Sequence, residues 1–189
     1  MAGREMDGRA SRADAAQARP VVSVFGSNAV EGDLAAEALA EAVGRKLAEL
    51  GYAVANGGYG GTMEASSRGA IRAGGHTIGV TCSLWRSRPN AHVREVIRTS
   101  SLSERVQRLA EVASAGFVVL PGGTGTLLEL AWVWEATAKK FMPPRPIVCM
   151  GEFWRALIDT IASVRGAHAE MVSLAAGPDD LERFFPRLG

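Results

Sequence analysis

Residues 116–135 read Gly116-Phe-Val-Val-Leu120-Pro121-Gly-Gly-Thr-Gly-Thr-Leu-Leu-Glu129-Leu-Ala-Trp132-Val-Trp134-Glu135. The run from Gly116 to Leu120 is uninterrupted, apolar and rich in β-branched and aromatic side chains, as expected of a parallel strand buried on both faces. A glycine turn follows, and then an apolar, Trp-containing stretch long enough for a helix. The order is therefore strand, turn, helix. Glycines 122, 123 and 125 let the backbone approach a ligand closely, and the first N–H groups of the helix have no partners within it. Such a helix start attracts anions, because free amides and the helix dipole both favour negative charge. Gly122, Gly123, Thr124, Gly125 and Thr126 are thus candidate phosphate-binding residues, with the carboxylate of Glu129 beside them.

Outward from this unit the same alternation repeats. Pro20 to Phe25 reads as a first strand ending at Gly26-Ser27-Asn28, and a helix from about Asp33 to Leu50 is stopped by Gly51. Tyr52 to Asn56 is a second strand, followed by Gly57-Gly58-Tyr59-Gly60-Gly61-Thr62, a helix to about Ala73, and a third strand from His76 to Cys82. Asn90 to Ser100, with Val93, Val96 and Ile97, reads equally as strand or irregular loop. Ser101-Leu-Ser-Glu104 is a capping-box pattern that opens the next helix. Beyond the signature helix, which runs to about Lys140, come a strand at Pro146–Met150, a helix at Phe153–Val164, a strand at Ala169–Leu174 and a closing helix at Pro178–Phe185. Alternating strands and helices specify an α/β, three-layer Rossmann-like fold: a mostly parallel sheet with helices on both faces. Residues 1–19 carry almost no large apolar side chains and are expected to form a disordered tail, leaving residues 20–189 as one domain.

In open α/β sheets ligands bind beyond the carboxyl ends of the strands. Three predicted strands end there in polar or glycine turns, which are expected to converge. They supply Gly26 and Ser27; Gly57, Gly58, Gly60, Gly61, Thr62 and Met63; and the Gly122–Thr126 turn. None is a P-loop, since no Gly-Lys-Ser/Thr closes it, and none matches GxGxxG. A nicotinamide-binding dehydrogenase is therefore not indicated. His76, His92 and His168 lack metal-ligand spacing, so no metal is expected. No GxSxG elbow anchors a hydrolase triad.

The totals narrow the function classes. A net charge of +1 over 189 residues gives no global electrostatic case for binding nucleic acid or a membrane surface. No apolar stretch reaches the roughly 18 residues of a membrane helix, and the N-terminus has no secretory h-region. Cys82 and Cys149 stand apart in apolar segments, as buried thiols of a reducing cytoplasm would.

Glu129 has two readings. Thr126-x-x-Glu129 is itself a capping box, in which the carboxylate would only satisfy a backbone N–H. Alternatively it does chemistry beside the anion turn. On the preceding helix, an advance of about 100° per residue puts Leu102, Val106, Leu109 and Ala113 on one buried face. Arg105 then falls roughly 70° from the centre of that face and Arg108 roughly 130°. Arg105 is placed to enter a pocket. Arg108 is placed to pair with Glu104 in solvent. Trp132 and Trp134 are about 200° apart around their helix, so one is expected in the core and the other against a partner subunit or the pocket. Phe141 lies just after the same helix.

These residues resemble a known family. Pro121-Gly-Gly-Thr-Gly-Thr-Leu-Leu-Glu129 is similar to the PGGxGTxxE signature of the Lonely Guy (LOG) family, formerly mislabelled lysine decarboxylases. Asn56-Gly-Gly-Tyr-Gly-Gly-Thr-Met63 resembles that family's second glycine motif, and Val24-Phe25-Gly26-Ser27 its first strand end. The resemblance covers about residues 20–175. It implies a cytokinin riboside 5′-monophosphate phosphoribohydrolase that splits an N-glycosidic bond without a cofactor, as a homodimer or an assembly of dimers. By the same resemblance the Gly122–Thr126 turn holds phosphate, and Glu129 with Arg105 forms the catalytic pair. The chain has Arg105-Val106 where plant-type members have Arg-Lys, and Thr-Met-Glu where they have Leu-Met-Gly. The spacing from Arg105 to Pro121 is one residue longer. These departures point to a side branch near relatives described as molybdenum-cofactor carriers. The leading expectation is hydrolysis of AMP or a modified AMP. The alternative is a non-catalytic carrier of a nucleotide or a phosphate-bearing pterin, and a third reading, a DNA-processing relative, suffers from the near-neutral charge.

Overall fold

A computed structural model describes residues 19–28 and 33–189. All but one residue of the expected N-terminal tail lie outside the described residues. Among the described residues seven strands form one sheet: β1 (Val21–Phe25), β2 (Ala53–Asn56), β3 (Thr77–Cys82), β4 (Glu95–Thr99), β5 (Gly116–Val119), β6 (Ile147–Met150) and β7 (Val172–Ala175). Their order is β4-β3-β2-β1-β5-β6-β7, and every pairing is parallel. The longer helices are α1 (Leu34–Glu49), α2 (Thr62–Arg72), α3 (Leu102–Val112), α4 (Thr124–Ala138) and α5 (Arg155–Val164). A helical turn at Gly166–Ala169 precedes β7, and a 3-10 helix at Pro178–Arg183 follows it.

Alternation along the strands builds two cores. In a strand, successive side chains point to opposite faces. Val118, Val148 and Met150 join Val43 and Leu47 of α1, Ala65 and Ala70 of α2, and Leu181 and Phe185 near the C-terminus. Phe117, Val119, Ile147 and Cys149 join Leu109 of α3, Leu130, Val133 and Trp134 of α4, and Ile158 of α5. The sheet is therefore covered on both faces, which explains why β5 reads as a continuous apolar run. On the first face α1 and α2 pack backbone to backbone. A Cβ on Gly44 would lie 1.9 Å from the Ser66 carbonyl oxygen, and one on Gly69 2.0 Å from that of Glu41, so only glycine fits at either crossing.

Several local expectations are refined. Asp33 caps α1, its side chain accepting from Ala35 and Ala36 N–H. Residues 95–99, readable either way from sequence, form the edge strand β4. Leu102, expected on the buried face of α3, is instead 45% exposed, as the first residue of the helix. The closing helix is present as a 3-10 helix over Pro178–Arg183. Among the described residues no helix is long and apolar enough to cross a membrane.

Candidate functional site

The strand order reverses between β1 and β5: β2 to β4 lie on one side of β1, and β5 to β7 on the other. Ligands of doubly wound sheets bind at such a switch point. The three predicted turns follow the adjacent strands β2, β1 and β5, so parallel pairing brings them to one edge as expected.

The second glycine turn is organised by the residue that opens its motif, which was not among the candidate site residues. Asn56 is fully buried at the end of β2. Its Nδ2 donates to the Met63 carbonyl and to the Ser66 and Ser67 hydroxyls, while its Oδ1 accepts from Gly58 N–H at 2.8 Å. Gly58 takes φ +77° and Gly61 φ +63°, a left-handed backbone that favours glycine. Thr62 stitches this turn to the first: its hydroxyl accepts from Ser27 N–H at 2.9 Å and donates to Ser27 O at 3.1 Å. Gly26 is needed there, since a Cβ would meet Thr62 Oγ1 at 2.2 Å. Gly26 and Thr62 thus hold the frame in which Gly57 backs Arg105 and Met63 lines the site.

The signature turn opens α4 with Gly123 as N-cap and no side-chain cap. Thr124, Gly125 and Thr126 are its first three residues, whose N–H groups have no acceptor within the helix. Thr126 is 2% exposed, and its hydroxyl is a buried polar atom with no hydrogen-bond partner among the described residues. A Cβ on Gly122 would sit 2.3 Å from that hydroxyl oxygen, so the glycine leaves it room against the turn. Buried hydroxyls normally have partners. An unpaired one beside free helix amides fits an anion site.

Glu129 does not cap the helix. The helix begins at Thr124, so Thr126 and Glu129 both lie inside it and the capping-box reading fails. The Glu129 carboxylate instead meets Arg105, whose Nη1 donates to Oε1 at 3.1 Å. Arg105 Nε donates to the Val80 carbonyl at 2.9 Å. The arginine enters further than the border position predicted for it, at 5% exposure, because Gly57 makes room: a Cβ there would lie 1.8 Å from Arg105 Nη2. Its guanidinium carbon stands 5.2 Å from the Trp85 ring and 5.8 Å from the Tyr59 ring. Burial pushes the Glu129 carboxyl up to about 7, against the lowering effect of Arg105. Desolvation disfavours the charged form, and one guanidinium offsets it only in part. Arg108 pairs with Glu111 at 2.7 Å rather than with Glu104, whose carboxylate accepts from Ser100.

A cavity of about 350 Å³ opens beside Arg105, lined by Asn28, Tyr59, Met63, Trp85, Ser87, Arg105 and Gly125. Of the predicted site residues it brings together Met63, Arg105 and Gly125, while Glu129 is not on its wall. Tyr59, Trp85, Asn28 and Ser87 were not among the predicted site residues. An isolated Trp in a polar inter-strand segment was the available signal for Trp85. Two larger clefts, of about 570 and 530 Å³, flank Phe141 away from the strand ends.

With this geometry the chain can be placed among known proteins. The model of the SLOG cluster4 family matches residues 19–173. The chain belongs to that family. Within the wider LOG-like group, it is 39% identical over 99 residues to a cytokinin riboside 5′-monophosphate phosphoribohydrolase of Mycobacterium marinum. It is 37% identical over 99 residues to the protein of the same name from Mycobacterium tuberculosis. Each match covers 51% of this chain and 52% of the relative, so the chain spans about half the length of the curated relatives it matches. The molybdenum cofactor carrier protein of Chlamydomonas reinhardtii has the same fold, with a TM-score of 0.67 at 26% identity over 85% of this chain and 92% of that one. The chain thus matches proteins named for hydrolysis over about half its length and shares its fold with a protein named for carriage.

Proposed function

We propose that this SLOG cluster4 protein is a nucleoside 5′-monophosphate phosphoribohydrolase acting on AMP or a cytokinin-type modified AMP. The observation that carries the reading is the buried Arg105–Glu129 pair beside the free amides and unpaired hydroxyl of the α4 start. The 5′-phosphate sits on the N–H groups of Thr124, Gly125 and Thr126 and on the Thr126 hydroxyl. Held there, the ribose presents C1′ to Glu129. Breaking the N-glycosidic bond builds positive charge on C1′ and the ring oxygen, which a carboxylate stabilises. Water bonds to C1′ as the C1′–N bond breaks, its electron pair leaving on the base nitrogen. The proton that water gives up passes to Glu129 and returns to the departing base. Free base and ribose 5-phosphate result, and the step needs no cofactor. Arg105 favours the ionised form of Glu129 and orients it. The names of the mycobacterial relatives support this class of reaction over about half the chain.

The buried free thiols Cys82 and Cys149 fit a reducing compartment, the cytoplasm in this reading. Two copies pair through the outer face of α4. Trp132 is 43% exposed and Phe141 85%, while Trp134 is buried. Phe141 projects between two clefts, a shape that a second copy can complement with its own.

A second reading, a non-catalytic carrier, is favoured by the greater share of the chain aligned with the Chlamydomonas reinhardtii carrier. One experiment separates the two. Purified protein is incubated with AMP and with isopentenyl-AMP, and free base is measured. Release of base that Glu129→Gln abolishes, with nucleotide binding retained, is the expected result. No release from either monophosphate, together with a ligand that copurifies, would establish the carrier.

A further inference from the structure

Between β3 and β4 the chain runs over the cavity mouth as an exposed strap, Ser83 to Arg88. Both ends of this segment are tied. Ser83 N–H donates to the Thr99 carbonyl at 2.8 Å. Asn90 donates from its backbone to Gly58 O at 2.8 Å and from its side chain to Tyr59 O at 2.9 Å. The strap is thereby fixed to β4 at one end and to the second glycine turn at the other. It carries Trp85, 42% exposed, on the wall of the cavity that also includes Gly125 of the anion turn.

The neighbouring aromatic is differently placed. Tyr59 is buried, and its hydroxyl exchanges hydrogen bonds with Cys82, donating to O at 3.2 Å and accepting from N at 2.9 Å. Its ring packs edge-on to Trp85, with centroids 5.4 Å apart. Tyr59 and the Arg105 guanidinium therefore position the indole, which keeps a large apolar area in water at the mouth of a polar site. Covering that area with a flat ring is favourable. Aromatic side chains stack on any base, and the gain grows with the area covered, so a bicyclic base profits more than a monocyclic one.

We infer that Trp85 is the specificity residue of this site, stacking the base of the bound nucleotide and favouring purine over pyrimidine monophosphates. The inference rests on the proposal that the site takes nucleoside 5′-monophosphates, but not on their hydrolysis. The rival role for Trp85 is to shield Arg105 and Glu129 from water, which would serve every ligand equally.

The test reads binding. Calorimetric titrations of AMP, CMP and ribose 5-phosphate are run on the full chain, in a Glu129→Gln background that prevents turnover, with Trp85, Trp85→Ala and Trp85→Phe. Trp85→Ala is expected to lose AMP affinity roughly 10- to 100-fold, as loss of one stacked base predicts. CMP falls less, ribose 5-phosphate is unchanged, and Trp85→Phe restores most of the AMP affinity. AMP should also quench tryptophan fluorescence through Trp85, with the quench absent in Trp85→Phe. An equal fall for AMP and ribose 5-phosphate, or no fall for AMP, would overturn the inference. The two proposals fail separately. Trp85-dependent preference for AMP without any base release sinks the hydrolase and leaves the stacking role. Base release with AMP affinity indifferent to Trp85 does the reverse.

Discussion

Arg105 Nη1 donates to Glu129 Oε1 at 3.1 Å, with both side chains more than nine-tenths buried. They reach each other from consecutive helices, α3 and α4, packed on the same sheet face. Burying two charges costs more than their attraction returns unless further groups satisfy them. Arg105 has the Val80 carbonyl as well, whereas the Glu129 carboxyl is left with its affinity for a proton raised. In the proposed hydrolase, an ion pair held in this state serves chemistry more than stability.

The first prediction concerns pH. The folded Glu129 carboxyl binds its proton up to about 7, against an ordinary value of 4.5. Between those values the folded protein holds a proton that the unfolded chain has released. The stability from this group is therefore full below its ordinary value, falls as pH rises, and levels off above about 7. The fall is on the order of 3 kcal/mol. Denaturation of the native chain and of Glu129→Gln should give a difference that slopes across this interval, and parallel curves would refute it. For the hydrolase, kcat/KM should rise with pH through the same region, because the ionised carboxylate is the reactive form.

Thr126→Val isolates the unpaired hydroxyl. The variant keeps the shape and removes a buried polar atom without a partner, so the free protein should be equally stable or gain about 1 kcal/mol. Its affinity for AMP or ribose 5-phosphate should drop roughly tenfold, the loss of one hydrogen bond to a charged group. Thermal denaturation with and without ligand reads both. Undiminished affinity would remove Thr126 from the phosphate site.

Gly57→Ala should separate activity from folding. Its Cβ would stand 1.8 Å from Arg105 Nη2 and 2.6 Å from Met63 Sδ, both at the far ends of flexible side chains. The fold can yield there at a cost of about 1–3 kcal/mol, and the yielding moves Arg105 away from Glu129. Base release should fall at least roughly 100-fold, in the range of a lost acid–base group. Gly177→Ala, at a position outside the site, is the control, since nothing among the described residues lies within 4 Å of a Cβ there and its backbone is extended. Equal activity in the two variants would show that the pair tolerates displacement.

The α4 face predicts an assembly. By sedimentation the native chain should run at about twice its 19.9 kDa mass. Phe141→Glu, placing a charge at a residue already 85% exposed, should halve that mass without lowering the melting temperature. A native monomer, or a Phe141→Glu dimer, would dismiss this face as the interface.

What the sequence determined alone is the part written in short-range pattern. Continuous apolar runs identify strands buried on both faces, the glycine turns mark strand ends, and Ser101 caps α3 as its spacing predicts, accepting from Glu104 N–H. Parallel topology and the convergence of three turns follow, because each depends on the order of elements along the chain. Weak local pattern was less legible: β4 is a half-exposed edge strand with little apolar periodicity.

The tertiary structure decided the rest. Thr126-x-x-Glu129 is a capping box by spacing, and only the position of the helix start, two residues before Thr126, shows that it does not cap. Whether Arg105 is a surface arginine or a buried one depends on Gly57, which is 48 positions earlier and leaves the space it fills. The raised proton affinity of Glu129 comes from desolvation, a property of everything packed around the group. Asn56 and Trp85 take their places from hydrogen bonds and rings contributed by distant segments. Periodicity reports which way a side chain points, but charge state, cavity and partner depend on contacts between elements far apart in the chain.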